Sequence, residues 1–150
     1  MAAGIDSTGL NCYLVASGTT VITKANCVTA IAGGKRIGKM TTMGEIGGTR
    51  SVTETKYLSQ DDSEKSMGSL SYGNLAVDVT FDPADVLGQA DLRTMFGDKS
   101  ARTMIIAETD GNYTTLPVKC SSAKKAYAND QFVMFKAVVE QNGAHTTVTA

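Results

Sequence analysis

Residues 74–82 read Asn-Leu-Ala-Val-Asp-Val-Thr-Phe-Asp, a stretch in which every second side chain from Leu75 to Phe81 is large and apolar. A β-strand directs successive side chains to opposite faces, so this alternation predicts a strand with one face packed on a core. The other face carries Asp78 and Thr80 and is predicted to meet water. That water is either the outer solvent or the water of a lumen.

A helix is predicted directly after this strand, from Pro83 to about Phe96. Asp82 is a suitable N-cap, Pro83 suits the first helical position, and Asp85 places a carboxylate near the positive end of the helix dipole. Gly97 predicts its end. The buried side is assigned to Val86, Leu87, Ala90, Met95 and Phe96, and the solvent side to Gln89, Asp91 and Arg93.

Strands are also predicted before this block. Residues 10–15 and 21–28, on either side of a Ser-Gly-Thr-Thr break, indicate two strands joined by a turn. The Gly-rich residues 33–48 have no helical pattern. Residues 49–58 predict a strand with an exposed edge or face, because few of its side chains are large and apolar.

A polar run, Ser-Gln-Asp-Asp-Ser-Glu-Lys-Ser at residues 59–66, has no side chain that can anchor it to a core. It is predicted to form a long, mobile loop or a hairpin arm in the isolated subunit.

The C-terminal half predicts further strands. Residues 102–109 and 112–122 flank an Asp-Gly turn signal and indicate a hairpin, with a break or an unpaired edge at Pro117. Residues 131–140 are apolar on both faces apart from Lys136, as in a strand between two layers or covered by a helix. The predicted fold is mainly β (α+β-like): a β-sandwich or half-barrel with one α-helix, in a single domain at residues 1–150.

Charge is nearly balanced over the 150 residues, with 14 Lys plus Arg against 15 Asp plus Glu. This argues against a dedicated nucleic-acid binder, which needs a basic surface. Residues 21–56 hold six basic and two acidic residues, a net of +4, and residues 61–98 hold two basic and eight acidic residues, a net of −6. Such separation permits head-to-tail self-association, although ordinary solvated faces explain it equally well.

No catalytic, cofactor or metal site is predicted. The three cysteines are far apart and His145 is the single histidine, so the cysteines are interpreted as buried apolar residues in a reducing compartment. The Gly33-x4-Gly38-Lys39 pattern is similar to a phosphate-binding loop, but Met40 stands where that loop needs Ser or Thr. We therefore expect no enzyme.

Neither a signal-peptide pattern nor an apolar run of about 20 residues is found, so the chain is expected to be made in the cytoplasm and not to enter a membrane.

The block at residues 52–85 carries a family resemblance. It reads Val-Thr-Glu-Thr-Lys-Tyr-Leu-Ser-Gln-Asp-Asp, then Met67-Gly-Ser-Leu-Ser-Tyr-Gly-Asn-Leu75, then Phe81-Asp-Pro83. In order and spacing it resembles the major tail tube proteins of lambda-like, long-tailed bacteriophages. There a Thr- and Glu-rich strand leads to a Leu, acidic residues, a Gly, an alternating strand, a Pro and a helix. Met67 departs from the Pro that many relatives have.

The resemblance implies a structural virion protein that self-assembles into stacked hexameric rings. Their inner sheets would join as a β-barrel around a lumen, with the helix on the outer side, and DNA would be ejected through this tail tube. Double-stranded DNA would pass without specific binding. Further implied partners are the tape-measure protein and the tail terminator and initiator proteins, with assembly in the host bacterial cytoplasm.

The resemblance assigns the contact with the adjacent ring to a long polar loop at residues 55–72. Its candidate contact residues are Thr55, Lys56, Tyr57, Leu58, Asp61, Asp62, Glu64, Lys65, Met67 and Tyr72. We expect its carboxylates to meet basic side chains of another subunit, the candidates being Lys35, Arg36 and Lys39. Because carboxylates repel DNA phosphates, the candidate lumen residues are Asp78, Thr80 and Asp82, with an outer solvated face as the alternative.

Two other interpretations stay open. One is the tube of a contractile tail or of a secretion needle, which shares the fold. The other is a β-sandwich module that decorates a capsid or binds carbohydrate. That module needs an exposed aromatic platform, and 6% aromatic residues without any Trp give it little support.

Overall fold

The computed structural model describes residues 10–18, 21, 23–38, 40–59, 61–84, 87–129 and 132–149. Within these residues it has two helices, α1 (Lys24–Ala32) and α2 (Gly88–Asp98). The strands are β1 (Asn11–Ala16), β2 (Lys35–Arg36), β3 (Met40–Met43), β4 (Gly48–Lys56), β5 (Ser63–Tyr72), β6 (Asn74–Thr80), β7 (Ala101–Ala107), β8 (Tyr113–Ala126), β9 (Met134–Gln141) and β10 (Thr146–Val148).

Eight of these strands form one antiparallel sheet, in the order β2-β1-β7-β8-β9-β6-β3. The eighth, β10, pairs with residues 113–115 of β8, and β9 pairs with residues 118–126 of the same strand. The remaining strands, β4 and β5, pair only with each other and form a separate hairpin.

The large sheet curls until its two ends meet. Strands β2 and β3 stand at opposite ends of the strand order, yet only residues 37–39 separate them in the chain. Such a connection spans at most about 14 Å. The backbone N–H of Ile37 also donates to the carbonyl of Cys12 at 3.0 Å, which extends the pairing of β2 with β1. The predicted mainly β class is confirmed.

The concave side of this sheet encloses the core. The alternation in residues 74–82 is confirmed, because Leu75, Val77 and Val79 of β6 are fully buried. The other strands and α2 add Cys12, Leu14, Met104, Ile106, Leu116, Val118, Phe135, Ala137, Val139, Leu92 and Met95. In β9 the buried side chains lie on this one face, so the prediction that both faces of residues 131–140 are covered, by a second layer or by a helix, is wrong.

Helix α2 begins five residues later than predicted, at Gly88 and not at Pro83. The Asp82 carboxylate does not cap it. Instead it accepts a hydrogen bond from the backbone N–H of Ala84 at 3.0 Å and closes a turn there. Asp85 and Val86 lie outside the described residues.

Gln89 was predicted to face solvent, but it is fully buried. Its Nε2 donates to the carbonyls of Gly38 at 3.1 Å and Thr80 at 3.0 Å, and its Oε1 accepts from the N–H of Asp82 at 3.0 Å. Three backbone groups therefore converge on this one amide, which explains why a polar side chain is buried at this position.

Asp91, also predicted to face solvent, is buried as well. Its carboxylate lies 3.2 Å from Nζ of Lys35 and 3.4 Å from Nε of Arg102, so it ties α2 to β2 and β7. Phe96, predicted to be buried, leaves 48% of its surface exposed. The buried side of α2 is therefore rotated from the predicted one.

The strand predicted at residues 21–28 is wrong, since this segment contains the start of α1. Thr23 Oγ1 accepts from the N–H of Asn26, and Asn26 Oδ1 accepts from the N–H of Thr23, both at 3.2 Å. This reciprocal capping box and the alanines of the segment outweigh its β-branched residues.

Pro117 does not break β8, and of the two predicted outcomes the unpaired edge is observed, because in the described chain residue 117 has no ladder partner on the side of β9 and β10. Its carbonyl accepts from the N–H of Asn142 at 2.8 Å, so its nitrogen faces the same edge, towards β9 and β10. On this edge Pro117 lies between residues 113–115, which pair with β10, and residues 118–126, which pair with β9. The missing N–H therefore breaks no ladder bond.

Candidate assembly surfaces

The hairpin of β4 and β5 projects from the body with almost no cover. Every residue of β4 is exposed, and most of β5 is too. Nine residues of strand reach about 30 Å. Of the two forms predicted for the polar segment, the hairpin arm is observed, with its two strands ending at Lys56 and beginning at Ser63. An isolated two-stranded hairpin is marginally stable in water, which suggests that a partner surface completes it.

The two faces of this hairpin differ in chemistry. Val52 lies opposite Met67 and Arg50 lies opposite Leu70, so these side chains share one face. With Tyr72, the residues Val52, Met67 and Leu70 form the apolar part of this face, which we call the apolar hairpin face; Arg50, Glu54, Lys56 and Lys65 lie on the same side of the strands. The other face, the hydroxyl hairpin face, carries Thr49, Ser51, Thr53, Thr55, Ser66 and Ser71.

A β-bulge is responsible for this separation. Between the pairs of Arg50 and Val52 the register shifts, and one extra residue of β5 is accommodated. Without it, Met67 and Leu70, three residues apart, would point to opposite faces. Gly68 lies in this bulge, and a Cβ added there would displace the hydroxyl of Ser51 across the hairpin.

The tip of the hairpin is apolar and acidic. Leu58 is fully exposed and Tyr57 is about half exposed. Asp61 and Asp62 follow in the turn and are also exposed. All ten candidate contact residues lie on this hairpin or at its base.

The base of the hairpin is held by Gln141, which the sequence reasoning missed. This buried side chain accepts from the N–H of Gly47 at 3.2 Å and donates to the carbonyl of Glu45 at 3.3 Å, and its own N–H donates to Gly73 at 3.2 Å. Gly47 has a φ of +145°, a conformation that favours glycine. Gln141 therefore sets where the hairpin leaves the body.

The candidate basic residues are partly engaged within their own subunit. Lys35 contacts Asp91 as described above, and Nε of Arg36 donates to Oδ1 of Asn11 at 3.0 Å. Lys39 lies outside the described residues.

The convex side of β6, β9 and β8 forms a second wet surface, the polar sheet face, with Asn74, Asp78, Thr80, Glu140, Lys136, Lys119, Ser122 and Lys124. Asp78 lies opposite Lys136, and Lys136 lies opposite Lys124. The sequence could not reveal these lysines beside Asp78, because they come from strands distant in the chain. Asp82 lies beyond the end of β6, in the turn before α2.

Cys12 and Cys27 are buried as predicted, whereas Cys120 is only partly buried. Burial raises the pKa of the Cys12 thiol to about 12, and desolvation also raises the pKa values of Cys27 and Cys120. Within the described ranges, no three His, Cys, Asp or Glu side chains cluster as metal ligands would. An open groove of about 510 Å³ beside Met40, Met43 and Ile46 has Glu108 as its one ionisable side chain.

In the part of the chain that the structure describes, neither helix has the length and apolarity needed to cross a membrane.

Comparison by sequence finds nothing: no protein-family model matches the chain, and no curated protein is similar to it. Solved structures are similar over nearly the whole chain. A protein in the tail of an empty gene transfer agent particle, refined with C6 symmetry, gives a TM-score of 0.69 at 14% identity, covering 98% of this chain and 100% of that one. The SPP1 tail tube gives 0.68 at 9% identity, covering 98% and 80%. The fold is that of tail tubes.

The tail-tube fold is not confined to one kind of particle. A structure of the sheath/tube terminator of an extracellular contractile injection system gives a TM-score of 0.70 at 7% identity, covering 99% of both chains. At these identities the similarity establishes the fold alone, so the function is inferred from the surfaces of this chain.

Proposed function

We propose that this protein is a tail tube subunit, a structural protein that self-assembles into stacked rings and catalyses no reaction. The observation that carries this proposal is the exposed hairpin with its apolar face, on a body that has the tail-tube fold from end to end. Val52 and Met67 expose 56% and 68% of their surfaces, which is costly for a chain that stays alone. Assembly buries such a face.

Rings of six subunits fit this proposal, since the similar gene transfer agent tail has C6 symmetry. Stacked rings would form the tail tube of a phage-like virion, through which double-stranded DNA is ejected without specific binding. Tape-measure, terminator and initiator proteins would be further partners, and assembly would take place in the bacterial cytoplasm.

We propose a long, non-contractile tail of the siphophage type, because the block at residues 52–85 resembles that family. A contractile-system tube is the second candidate, supported by the TM-score of 0.70 to the injection-system terminator. A sheath-protein gene beside the gene for this chain would favour the second candidate.

The hairpin is proposed to contact the adjacent ring, through its tip at residues 57–62 and the neighbouring candidate residues. The polar sheet face, with Asp78 and Thr80, is the proposed lumen surface. Its three lysines, Lys119, Lys124 and Lys136, outnumber Asp78 and Glu140. Carboxylates alone therefore do not determine how this face acts on DNA. Asp82 is a weaker candidate for a lumen residue than Asp78 and Thr80, because it lies beyond the end of β6.

Electron microscopy of the concentrated, purified protein tests the proposal. We expect hollow tubes of uniform width, and a chain that stays monomeric at every concentration would contradict it. The double variant Asp61→Lys/Asp62→Lys should shorten or abolish the tubes while the subunit stays folded by circular dichroism. Asp110→Lys, in the exposed turn between β7 and β8, reverses one charge away from the hairpin; it removes two turn hydrogen bonds with Asn112 and should leave tube growth unchanged.

A further inference from the structure

The groove beside β3 leaves part of the core open to solvent. Its volume is about 510 Å³, and five large apolar side chains line it: Leu10, Met40, Met43, Ile46 and Ile106. The first four of these are only partly buried, although they pack against the core. Moving apolar surface out of water is favourable, so this groove suits an apolar occupant.

The groove lies at a gap in the curled sheet. Met40 and Met43 belong to β3, which ends the strand order and in the described chain pairs with β6 alone. Across the groove, Leu10 directly precedes β1 and Ile106 lies in β7. Within the described residues, no strand pairing joins β3 to β1 or to β7. The sheet therefore leaves room there for a further segment.

Two of the polar side chains of the groove already have partners. Glu108 is its one ionisable side chain, and the Glu108 carboxylate accepts a hydrogen bond from Oγ1 of Thr114 at 2.5 Å. Oγ1 of Thr41 donates to the carbonyl of Asp78 at 3.0 Å. A small polar ligand would compete with these hydrogen bonds, whereas an apolar side chain would not.

Residues 1–9 of the same chain supply such a side chain. They read Met-Ala-Ala-Gly-Ile-Asp-Ser-Thr-Gly and lie outside the described residues. The description of the chain begins at Leu10, which itself lines the groove. Ile5 stands five residues before Leu10, and five residues span at most about 18 Å. The large, branched side chain of Ile5 is therefore within reach of the groove.

The covalent connection favours this segment over a second copy of the chain. A group tethered by a short linker has an effective concentration on the order of 1 mM at a neighbouring site. A second copy present at about 1 µM would have to bind roughly a thousandfold more tightly to compete. In a dilute solution of free subunits, the same chain therefore has the advantage.

We propose that Ile5 packs into the groove of its own subunit, against Met40, Met43 and Ile106. Residues 1–9 then cover the part of the core that β3 leaves open. This contact belongs to the free subunit and does not depend on the proposed function, because it forms whether or not the protein assembles into tubes.

A disulfide tests the contact. In a Cys120→Ser background, which removes the partly buried native thiol, Ile5→Cys/Met43→Cys should form a disulfide within one chain on mild oxidation at low protein concentration. Ile5→Cys/Lys136→Cys is the control, because Lys136 is exposed on the polar sheet face. We expect the first disulfide to form at least about tenfold faster than the second, as followed by non-reducing gel electrophoresis and peptide mass determination.

Two outcomes of this experiment would overturn the proposal. Equal rates for the two pairs would mean that Ile5 does not bind at the groove. Disulfides between two chains at low concentration, in place of disulfides within one chain, would mean that a second copy fills the groove.

Methionine oxidation tests the same contact without a cysteine in the groove. Ile5→Ser should uncover Met40 and Met43, so hydrogen peroxide should convert them to sulfoxides roughly fivefold faster than in the wild type. Met67 of the hairpin, already 68% exposed, should react at the same rate in both proteins. Ser7→Ala is the matched variant in the same segment and should leave all three rates unchanged.

Unchanged oxidation rates at Met40 and Met43 in Ile5→Ser would also overturn the proposal. Both experiments use the free subunit, so their failure leaves the proposed tube function untouched. Conversely, a wild-type protein that never forms tubes would contradict that function and leave the contact of Ile5 untouched.

Discussion

At the scale of single residues, the two glycines of α2 have opposite roles. An added Cβ at Gly88 would lie 2.3 Å from the carbonyl oxygen of Arg36 and 2.4 Å from Cα of Ile37, both backbone atoms that cannot move aside cheaply. At Gly97 nothing lies within 4 Å. The start of α2 is therefore set by close contact with the chain after β2, and not by the capping residues Asp82 and Pro83.

Gly88→Ala should lower the free energy of unfolding by about 1–3 kcal/mol, because overpacking outweighs the better helix propensity of Ala. Gly97→Ala should leave stability unchanged or raise it by up to about 1 kcal/mol. Urea denaturation of both variants measures the difference. A Gly88→Ala variant as stable as the wild type would mean that the helix can move away from residues 36 and 37.

The buried Cys12 thiol should lower the stability of the folded chain at alkaline pH. Its thiol pKa is raised to about 12 from 9.0, so the folded state disfavours the thiolate that the unfolded chain forms. This contribution is fully present below pH 9 and is lost as the pH rises from about 9 to about 12. The loss amounts to about 2 kcal/mol at pH 10.5. Denaturation from pH 8 to 10.5 should show a smaller loss in Cys12→Val, and parallel curves would contradict the assignment.

At the scale of secondary-structure elements, the exposed apolar side chains of the β4–β5 hairpin should contribute little to the stability of the free subunit and more to assembly. Val52→Ser/Met67→Ser should change the stability of the free subunit by less than about 0.5 kcal/mol, because both side chains are exposed. The same variant should polymerise poorly, since it loses the apolar hairpin face. Thr53→Ala/Ser66→Ala, on the other face of the same strands, is the matched control. Thermal melts and pelleting assays measure the two effects, and normal pelleting of the first variant would contradict the role of this face.

The strands were predictable where one face is apolar and the other face is polar and exposed to solvent. β6 follows from its alternation, and β1, β4 and β7 were predicted close to their observed bounds. The helices were predicted less well, because tertiary contacts decide them. Gln89 and Asp91 are buried to satisfy backbone groups and cations that other strands bring, and no local pattern reveals those partners.

The candidate assembly site was predictable in part for the same reason. The polar run at residues 59–66 indicated an arm, because no side chain there can reach a core. The apolar hairpin face depends on a bulge at Gly68 that pairs β4 with β5, and the lysines beside Asp78 depend on the strand order. Both require knowledge of which strands are neighbours.

At the scale of the whole molecule, free and assembled subunits should differ in their sensitivity to protease. Arg50, Lys56 and Lys65 are exposed on the hairpin, which has few contacts to resist opening. Trypsin should cut free subunits at these residues first and leave the body intact. In tubes the same bonds should be protected at least tenfold, roughly the effect of a 1.4 kcal/mol cost of opening. Gel electrophoresis with mass determination follows both, and equal rates would contradict burial of the hairpin on assembly.

The curled sheet also has a consequence for how a new chain folds. Its pairings are distant in sequence, with Leu14 beside Met104 and Leu75 beside Val139, whereas the hairpin pairs residues close together. High contact order slows folding to the range of milliseconds to seconds, while a hairpin closes in microseconds. We therefore expect the hairpin to form long before the curled sheet is complete. A newly made chain then has its exposed apolar hairpin side chains in place before the body that carries the hairpin has folded.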